Sequence, residues 1–132
     1  MSIQLLFVCS ANQNRSPTAA RLFARAPGLT CSSAGTLVAS ASTGGRVVSL
    51  NDIREADFVF AMEREHREQI TARFGAACVP MIHVLGIEDI YNADSPQLVE
   101  ELLRGVPPYL PVLIDVDTLR SQYAYRLAAG CW

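Results

Sequence analysis

The sequence predicts one α/β domain over residues 1–132, a three-layer sandwich in which helices cover both faces of a four-stranded parallel sheet. Three observations lead there. An unbroken apolar run at 5–8 and a largely apolar one at 57–62 read as buried strands, with further strands at 29–34 and 79–85. Stretches long enough for helices separate them, the alternation that gives a doubly wound sheet with right-handed crossovers. Finally, 132 residues of which 50% are hydrophobic make one domain of ordinary size with a real core.

Leu5, Leu6, Phe7 and Val8 form the first strand, with Cys9 at its carboxyl end. Ser16 followed by Pro17 signals a helix start: a hydroxyl to cap an orphan N–H, then a proline whose missing N–H costs nothing in the first turn. Ala19, Ala20, Leu22, Phe23 and Ala26 carry that helix to Pro27 and Gly28, which end it. A second strand over 29–34 is closed by Gly35. Residues 37–56 are rich in Ser, Thr and Gly and then polar, with room for one short helix over 47–55.

The third strand, at 57–62, runs into a helix ending at Gly75. Its charge run of Glu63, Arg64, Glu65, Arg67 and Glu68 reads as a solvated face, and His66 falls inside it. His83, in the fourth strand, reads as a core or edge histidine. Pro96 opens a helix to Arg104 for which Asp94 and Ser95 are both N-cap candidates. The stretch 105–111 is a stiff linker. Leu113, Val116, Leu119, Tyr123 and Leu127 then space a last helix over 112–127 that packs on the sheet.

In such a sheet, ligands bind at the carboxyl ends of the strands, and Cys9 stands at one. The following loop feeds a helix N-terminus, so it directs backbone N–H groups into one concavity where the helix dipole adds partial positive charge. Ser10, Ala11, Asn12, Gln13, Asn14 and Arg15 therefore form a candidate phosphate cradle. The same field stabilises negative charge on sulfur, which makes Cys9 a candidate nucleophile, against the plain reading of a buried inert thiol. Arg15 offers a planar fork matched to two oxygens of a tetrahedral oxyanion. Nucleophile, cradle and clamp point to phosphoryl transfer through a cysteinyl-phosphate. The CX5R spacing alone is weak in a chain with 11 arginines; the surrounding string carries the specificity.

That string, VCSANQNRSP, resembles the signature of the low-molecular-weight protein tyrosine phosphatases, V-C-x-x-N-x-x-R-S-P, with Val8, Cys9, Asn12, Arg15, Ser16 and Pro17 all matching. SSAGT at 32–36, AMEREHREQ at 61–69 and the acidic stretch 86–103 are weaker likenesses, the last to short bacterial members. The likeness covers a core of residues 1–104 and leaves 105–132 as linker and C-terminal helix. It implies a flavodoxin-like fold and a phosphomonoesterase without metal or cofactor. By the same likeness Cys9 is the nucleophile, Arg15 the clamp, Asn12 a brace of the loop and Ser16 a donor to the thiolate. Ser33 would support Asn12, set against its plain reading as a turn residue after a strand. The likeness also implies an aspartate after the fourth strand that protonates the leaving oxygen and then activates water. The implied partner is a phosphorylated substrate, a phosphotyrosine protein or a small aryl phosphate.

Three features depart from that pattern. The family aspartate would fall at Ser95, with Asp94 one residue earlier. Asp94 is the first candidate for the acid, Asp89 the alternative, and an exposed or capping carboxylate the plain reading of either. Ala11 stands where familiar members carry glycine, at a cost of about 1 kcal/mol if that position needs a positive φ. The segment 37–56 is shorter than in familiar members. Tyr91 reads equally as a cleft wall or a loop anchor.

Two other functions compete. An arsenate reductase shares the loop but discharges its product through a relay of cysteines, and Cys31, Cys78 and Cys131 offer no closely spaced pair. A phosphate- or phosphopeptide-binding module would keep Cys9 and Arg15 without turnover. A net charge of −2 gives no electrostatic case for nucleic acid or an acidic membrane surface. Every basic residue is arginine, which carries no functional inference. No run reaches the roughly 18 apolar residues of a membrane span, and the start does not resemble a signal peptide, so a cytoplasmic location is expected. The scattered cysteines disfavour a disulfide scaffold and zinc, and no metal site is expected. The oligomeric expectation is a monomer, or a weak dimer through the C-terminal helix or Trp132.

Overall fold

The computed structural model describes residues 2–37, 45–76 and 82–130. Four parallel strands lie in the order β2-β1-β3-β4: β1 (Ile3–Cys9), β2 (Leu29–Gly35), β3 (Phe58–Ala61) and β4 (Ile82–Val84). The chain therefore moves one way from β1 to β2 and the other way to β3, and the strand order reverses beside β1. This is the three-layer α/β architecture expected from the sequence. Cys9, last in β1 and paired with Gly35, stands at the carboxyl end of the strand where that reversal occurs.

The pleat of β1 divides the core. Leu5, Phe7 and Cys9 face one side, packed with Leu22 and Phe23 of α1 (Arg15–Phe23), Leu98 and Leu102 of α4 (Pro96–Gly105), and Leu119 and Tyr123 of α5 (Val116–Ala129). Leu6 and Val8 face the other side, with Ile53 of α2 (Leu50–Glu55) and Ile70 of α3 (Arg64–Phe74). Phe7 stacks between Phe23 and Phe60 at ring separations of 5.8 and 5.5 Å.

Helix boundaries follow caps rather than apolar spacing. α1 begins at Arg15, one residue before the expected capping serine; its N-cap is Asn14, which makes no side-chain cap bond. Ser16 thus lies in the first turn, its hydroxyl released for the loop. Pro17 falls among the first N–H positions, which have no intrahelical acceptor in any case. α1 stops at Phe23 because Pro27 disfavours helical Ala26 and Gly28 takes φ +81° to turn into β2. Ser49 caps α2, and Val47, expected within that helix, instead bridges Gly35 of β2.

Of the two cap candidates for α4, Ser95 is the one used, accepting from the Leu98 N–H at 3.3 Å. The linker at 105–111 contains a single 3-10 turn, Pro107–Tyr109, between buried Val106 and Leu110. α5 starts at Val116, capped by Asp115, so Leu113 precedes it fully exposed, while Leu119 and Tyr123 carry the packing. The expected fourth strand is observed over 82–84; its start at 79–81, Cys78, Cys131 and Trp132 lie outside the described residues. Among the described residues no helix is long and apolar enough to cross a membrane.

Truncating the ring at the centre of this packing, Phe7→Ala, is expected to lower the unfolding free energy by about 3–5 kcal/mol in urea titrations. A loss under about 1 kcal/mol would contradict the packing described.

Candidate active site

The loop between β1 and α1 has the shape its residue types allow. The one positive φ within it, +55°, falls on Asn12, a residue that tolerates the left-handed region, and not on Ala11. The alanine standing where glycine was expected therefore carries no strain. Gly45 lies against Asn12: a Cβ added there would come within 2.9 Å of the Asn12 Cβ. Glycine at 45 is required by close approach, a constraint that no local signal in the sequence marks. The start of the loop is tied to the extension of β2, with Thr36 N–H donating to Cys9 O and Leu37 N–H to Ser10 O, both at 3.0 Å.

Cys9 is 2% exposed, and its Sγ lies 3.0 Å from Ser16 Oγ. Ser16 Oγ also donates to Asn12 Oδ1 at 3.0 Å and stands 3.4 Å from the Ala34 carbonyl. One hydroxyl proton serves one acceptor at a time. With a thiol, the S–H donates to Ser16 Oγ; with a thiolate, the serine proton turns to sulfur. Ser33 does not hold Asn12; it lines the open depression that Asn12, Gln13 and Asn14 also border.

Arg15 is 2% exposed, an uncommon position for a guanidinium. Its Nη1 donates to Glu63 Oε1 at 2.5 Å and to the Ile87 carbonyl at 2.7 Å. The Nε–Nη2 edge makes no hydrogen bond among the described residues, with Asp89 Oδ1 3.7 Å from Nε. Cys9, Ala11, Gln13, Asn14, Arg15 and Asp89 line a cavity of about 50 Å³, space for a few heavy atoms. The N–H groups of Ala11 through Asn14 are paired with no acceptor among the described residues. Cys9, Arg15 and Asp89 thus meet three residues of the loop, Ala11, Gln13 and Asn14, around one small cavity.

Asp94 is placed elsewhere. Its backbone takes φ +63°, its N–H donates to Thr18 Oγ1 at 3.0 Å, and its Oδ1 accepts from Arg21 Nη2 at 2.8 Å and from the Tyr123 hydroxyl. Burial and the Asp94 carboxylate push the Tyr123 phenol up to about 12, so it stays a donor. Asp94 joins α1, the approach to α4, and α5, and borders a groove between α4 and α5. Tyr91 is half-buried against the core, the anchor of its two readings.

His66 departs from its exposed charged neighbours. It is fully buried rather than part of a solvated face, on the stripe of His66, Ile70 and Phe74 that α3 turns inward at four-residue spacing. That spacing was readable, but the charged neighbours masked it. The Glu63 N–H donates to His66 Nδ1 at 3.0 Å, and His66 Nε2 lies 2.9 Å from Ser10 Oγ. A backbone N–H can only donate, so Nδ1 is the acceptor, and Nε2 carries the proton and donates to Ser10. Glu63, Glu65 and His66 stand close together, but both ring nitrogens are already engaged, which removes His66 as a metal ligand.

Burial, with the charge of Arg15 adding to it, lowers His66 from 6.5 to about 4. An unfolded chain protonates this ring near its ordinary value, so stability present above pH 6.5 is lost as pH falls to 4. The shift amounts to on the order of 3 kcal/mol. The urea midpoint of the wild type should therefore fall more steeply between pH 6.5 and 4 than that of His66→Gln; parallel profiles would contradict the buried neutral ring.

No protein-family model and no curated protein sequence matches the chain. Solved structures do. The YwlE arginine phosphatase from Geobacillus stearothermophilus matches at 22% identity over 97% of this chain and 94% of its own, with a TM-score of 0.51. SP-PTP, a low molecular weight protein tyrosine phosphatase from Streptococcus pyogenes, matches at 14% identity over 96% and 92%, with a TM-score of 0.58. The tyrosine phosphatase Wzb from Escherichia coli K30 matches at 22% identity over 98% and 99%, with a TM-score of 0.52. Together with the strand order and the helices on both faces, these likenesses give the chain the fold of the low-molecular-weight protein tyrosine phosphatases.

Proposed function

We propose that the protein is a cysteine-dependent phosphomonoester hydrolase working through a cysteinyl-phosphate on Cys9. The observation that carries this reading is the sulfur of Cys9 beside the Ser16 hydroxyl, in a small cavity shared with the open edge of Arg15. A tetrahedral dianion seated there would meet the Ala11–Asn14 amides and two guanidinium N–H groups, donors that also match the equatorial oxygens of an in-line transition state. Sulfur attacks phosphorus as the bond to the leaving oxygen breaks, and Ser16, holding the thiolate before attack, releases it.

Asp89, in its protonated form, is the acid that supplies a proton to the leaving oxygen. It is the expected aspartate that lines the cavity, whereas the Asp94 carboxylate is committed to Arg21 and Tyr123. Its carboxylate then takes a proton from the water that attacks the phosphocysteine, the P–S bond breaks, and inorganic phosphate leaves with the thiolate restored. The substrate is a phosphorylated one; the fold is shared with proteins named for tyrosine and for arginine phosphatase activity, and an aryl phosphate is the first substrate class to test.

The arsenate reductase reading gains nothing from Cys31. It pairs with Leu5 in register, four residues along β1 from Cys9, so the two lie about 13 Å apart along the sheet, beyond the reach of a disulfide. Burial also pushes its thiol up to about 12.

Steady-state hydrolysis, with reductant and without metal, tests the assignment. Cys9→Ser should abolish turnover of p-nitrophenyl phosphate. Asp89→Asn should lower kcat on phenyl phosphate, whose leaving group needs a proton, by about 100-fold or more, and on p-nitrophenyl phosphate far less. Asp94→Asn should lower the melting temperature while leaving both rates within about threefold. Turnover surviving in Cys9→Ser would overturn the mechanism, and the reverse order of the two aspartate variants would overturn the choice of acid. Tight phosphate binding by a wild type that does not turn over would leave a binding module.

A further inference from the structure

We propose that His66 is a positioning residue for the phosphate cradle, holding Ser10, and with it the first peptide after the nucleophile, through the bond from its Nε2–H to the serine hydroxyl. The inference rests on the phosphatase reading of the loop and adds to it a residue outside the nucleophile, clamp and acid.

The geometry assigns the role in three steps. First, the ring is buried, and the tautomer is imposed by the Glu63 backbone N–H, which donates to Nδ1 at 3.0 Å. The Nε2 proton therefore has one direction available, toward Ser10 Oγ at 2.9 Å. Second, the start of α3 grips the loop at both ends: Glu63 holds Arg15 at 2.5 Å, at its far end, and His66 holds Ser10, at its near end, three residues along the same helix turn. The curvature of the loop between Cys9 and Arg15 is thus set against one rigid element. Third, the ring stands among charges from several elements, Arg15 of α1, Glu63 and Glu65 at the start of α3 and Asp89 after β4, and stays neutral among them. A neutral donor fixes the loop without adding a charge that competes with the anion.

Two substitutions separate the two bonds of the ring. Asparagine places an acceptor the same number of bonds from Cα as Nδ1, so His66→Asn keeps the contact to the Glu63 N–H and loses the reach to Ser10. Glutamine places a donor at the distance of Nε2, so His66→Gln keeps the reach to Ser10. Ser10→Ala removes the acceptor and leaves the histidine in place.

Kinetics on p-nitrophenyl phosphate, calorimetric affinity for inorganic phosphate and melting temperature are measured for these three variants and for the double variant His66→Asn/Ser10→Ala. His66→Asn and Ser10→Ala should each lower kcat/KM and phosphate affinity by up to about 10-fold, the worth of a single hydrogen bond. The double variant should be no worse than the poorer single one, because both remove the same bond. His66→Gln should recover most of the loss. Additive losses in the double variant, or a lowered melting temperature in His66→Asn with unchanged phosphate affinity and kcat/KM, would overturn the proposal. If His66→Asn does not fold, Ser10→Ala against wild type decides it on phosphate affinity alone. A wild type that binds no phosphate refutes the underlying reading instead, a result distinct from phosphate binding that His66 does not influence.

Discussion

The structure depends on a buried cation. Arg15 carries a fixed charge at 2% exposure, and such a group is tolerated only with compensating partners. Two loops supply them: Glu63 from the turn after β3, and the Ile87 carbonyl and Asp89 from the stretch after β4, while Arg15 itself opens α1. The carboxyl ends of β1, β3 and β4 are in effect gathered around one guanidinium. The compensation is incomplete on the Nε–Nη2 edge, with Asp89 3.7 Å away rather than in contact. An oxyanion on that edge would complete it, which is why the same interaction that organises the loops also defines a ligand.

The placing of Cys9 follows from the same arrangement. Cys9 ends an interior strand of the sheet, and Cys9 and Arg15 line one cavity across five loop residues. The loop can turn so tightly because its left-handed position falls on asparagine and because Gly45 has no side chain to press against it. Ser16 is free to serve sulfur because the helix begins one residue before it. A helix start displaced by one position thereby places a hydroxyl beside the sulfur.

Much of this was legible in the sequence. The buried strands, their alternation with helices and the string from Val8 to Pro17 fixed the fold class and pointed to Cys9, Arg15, Asn12 and Ser16, because strand burial and a strand-to-helix anion loop are encoded by adjacent residues. What was not legible depends on residues far apart in the chain. Counting along the loop preferred Asp94, yet Arg21 and Tyr123, 73 and 29 residues away, engage that carboxylate. His66 looked solvated because its neighbours are charged, while its inward stripe is set by i+4 partners and by Ser10, 56 residues away. The close contact of Gly45 with Asn12 leaves no local pattern at all.

The central claim is that loop 9–15 seats a phosphate dianion directly against a reactive sulfur at Cys9. Alkylation by iodoacetamide, read by peptide mass spectrometry with and without inorganic phosphate, tests it most directly. The account predicts that Cys9 is modified far faster than Cys31, that phosphate protects it, and that the protection is lost when Arg15 is replaced by alanine. Modification of Cys9 at the rate of Cys31, or modification indifferent to phosphate, would contradict it.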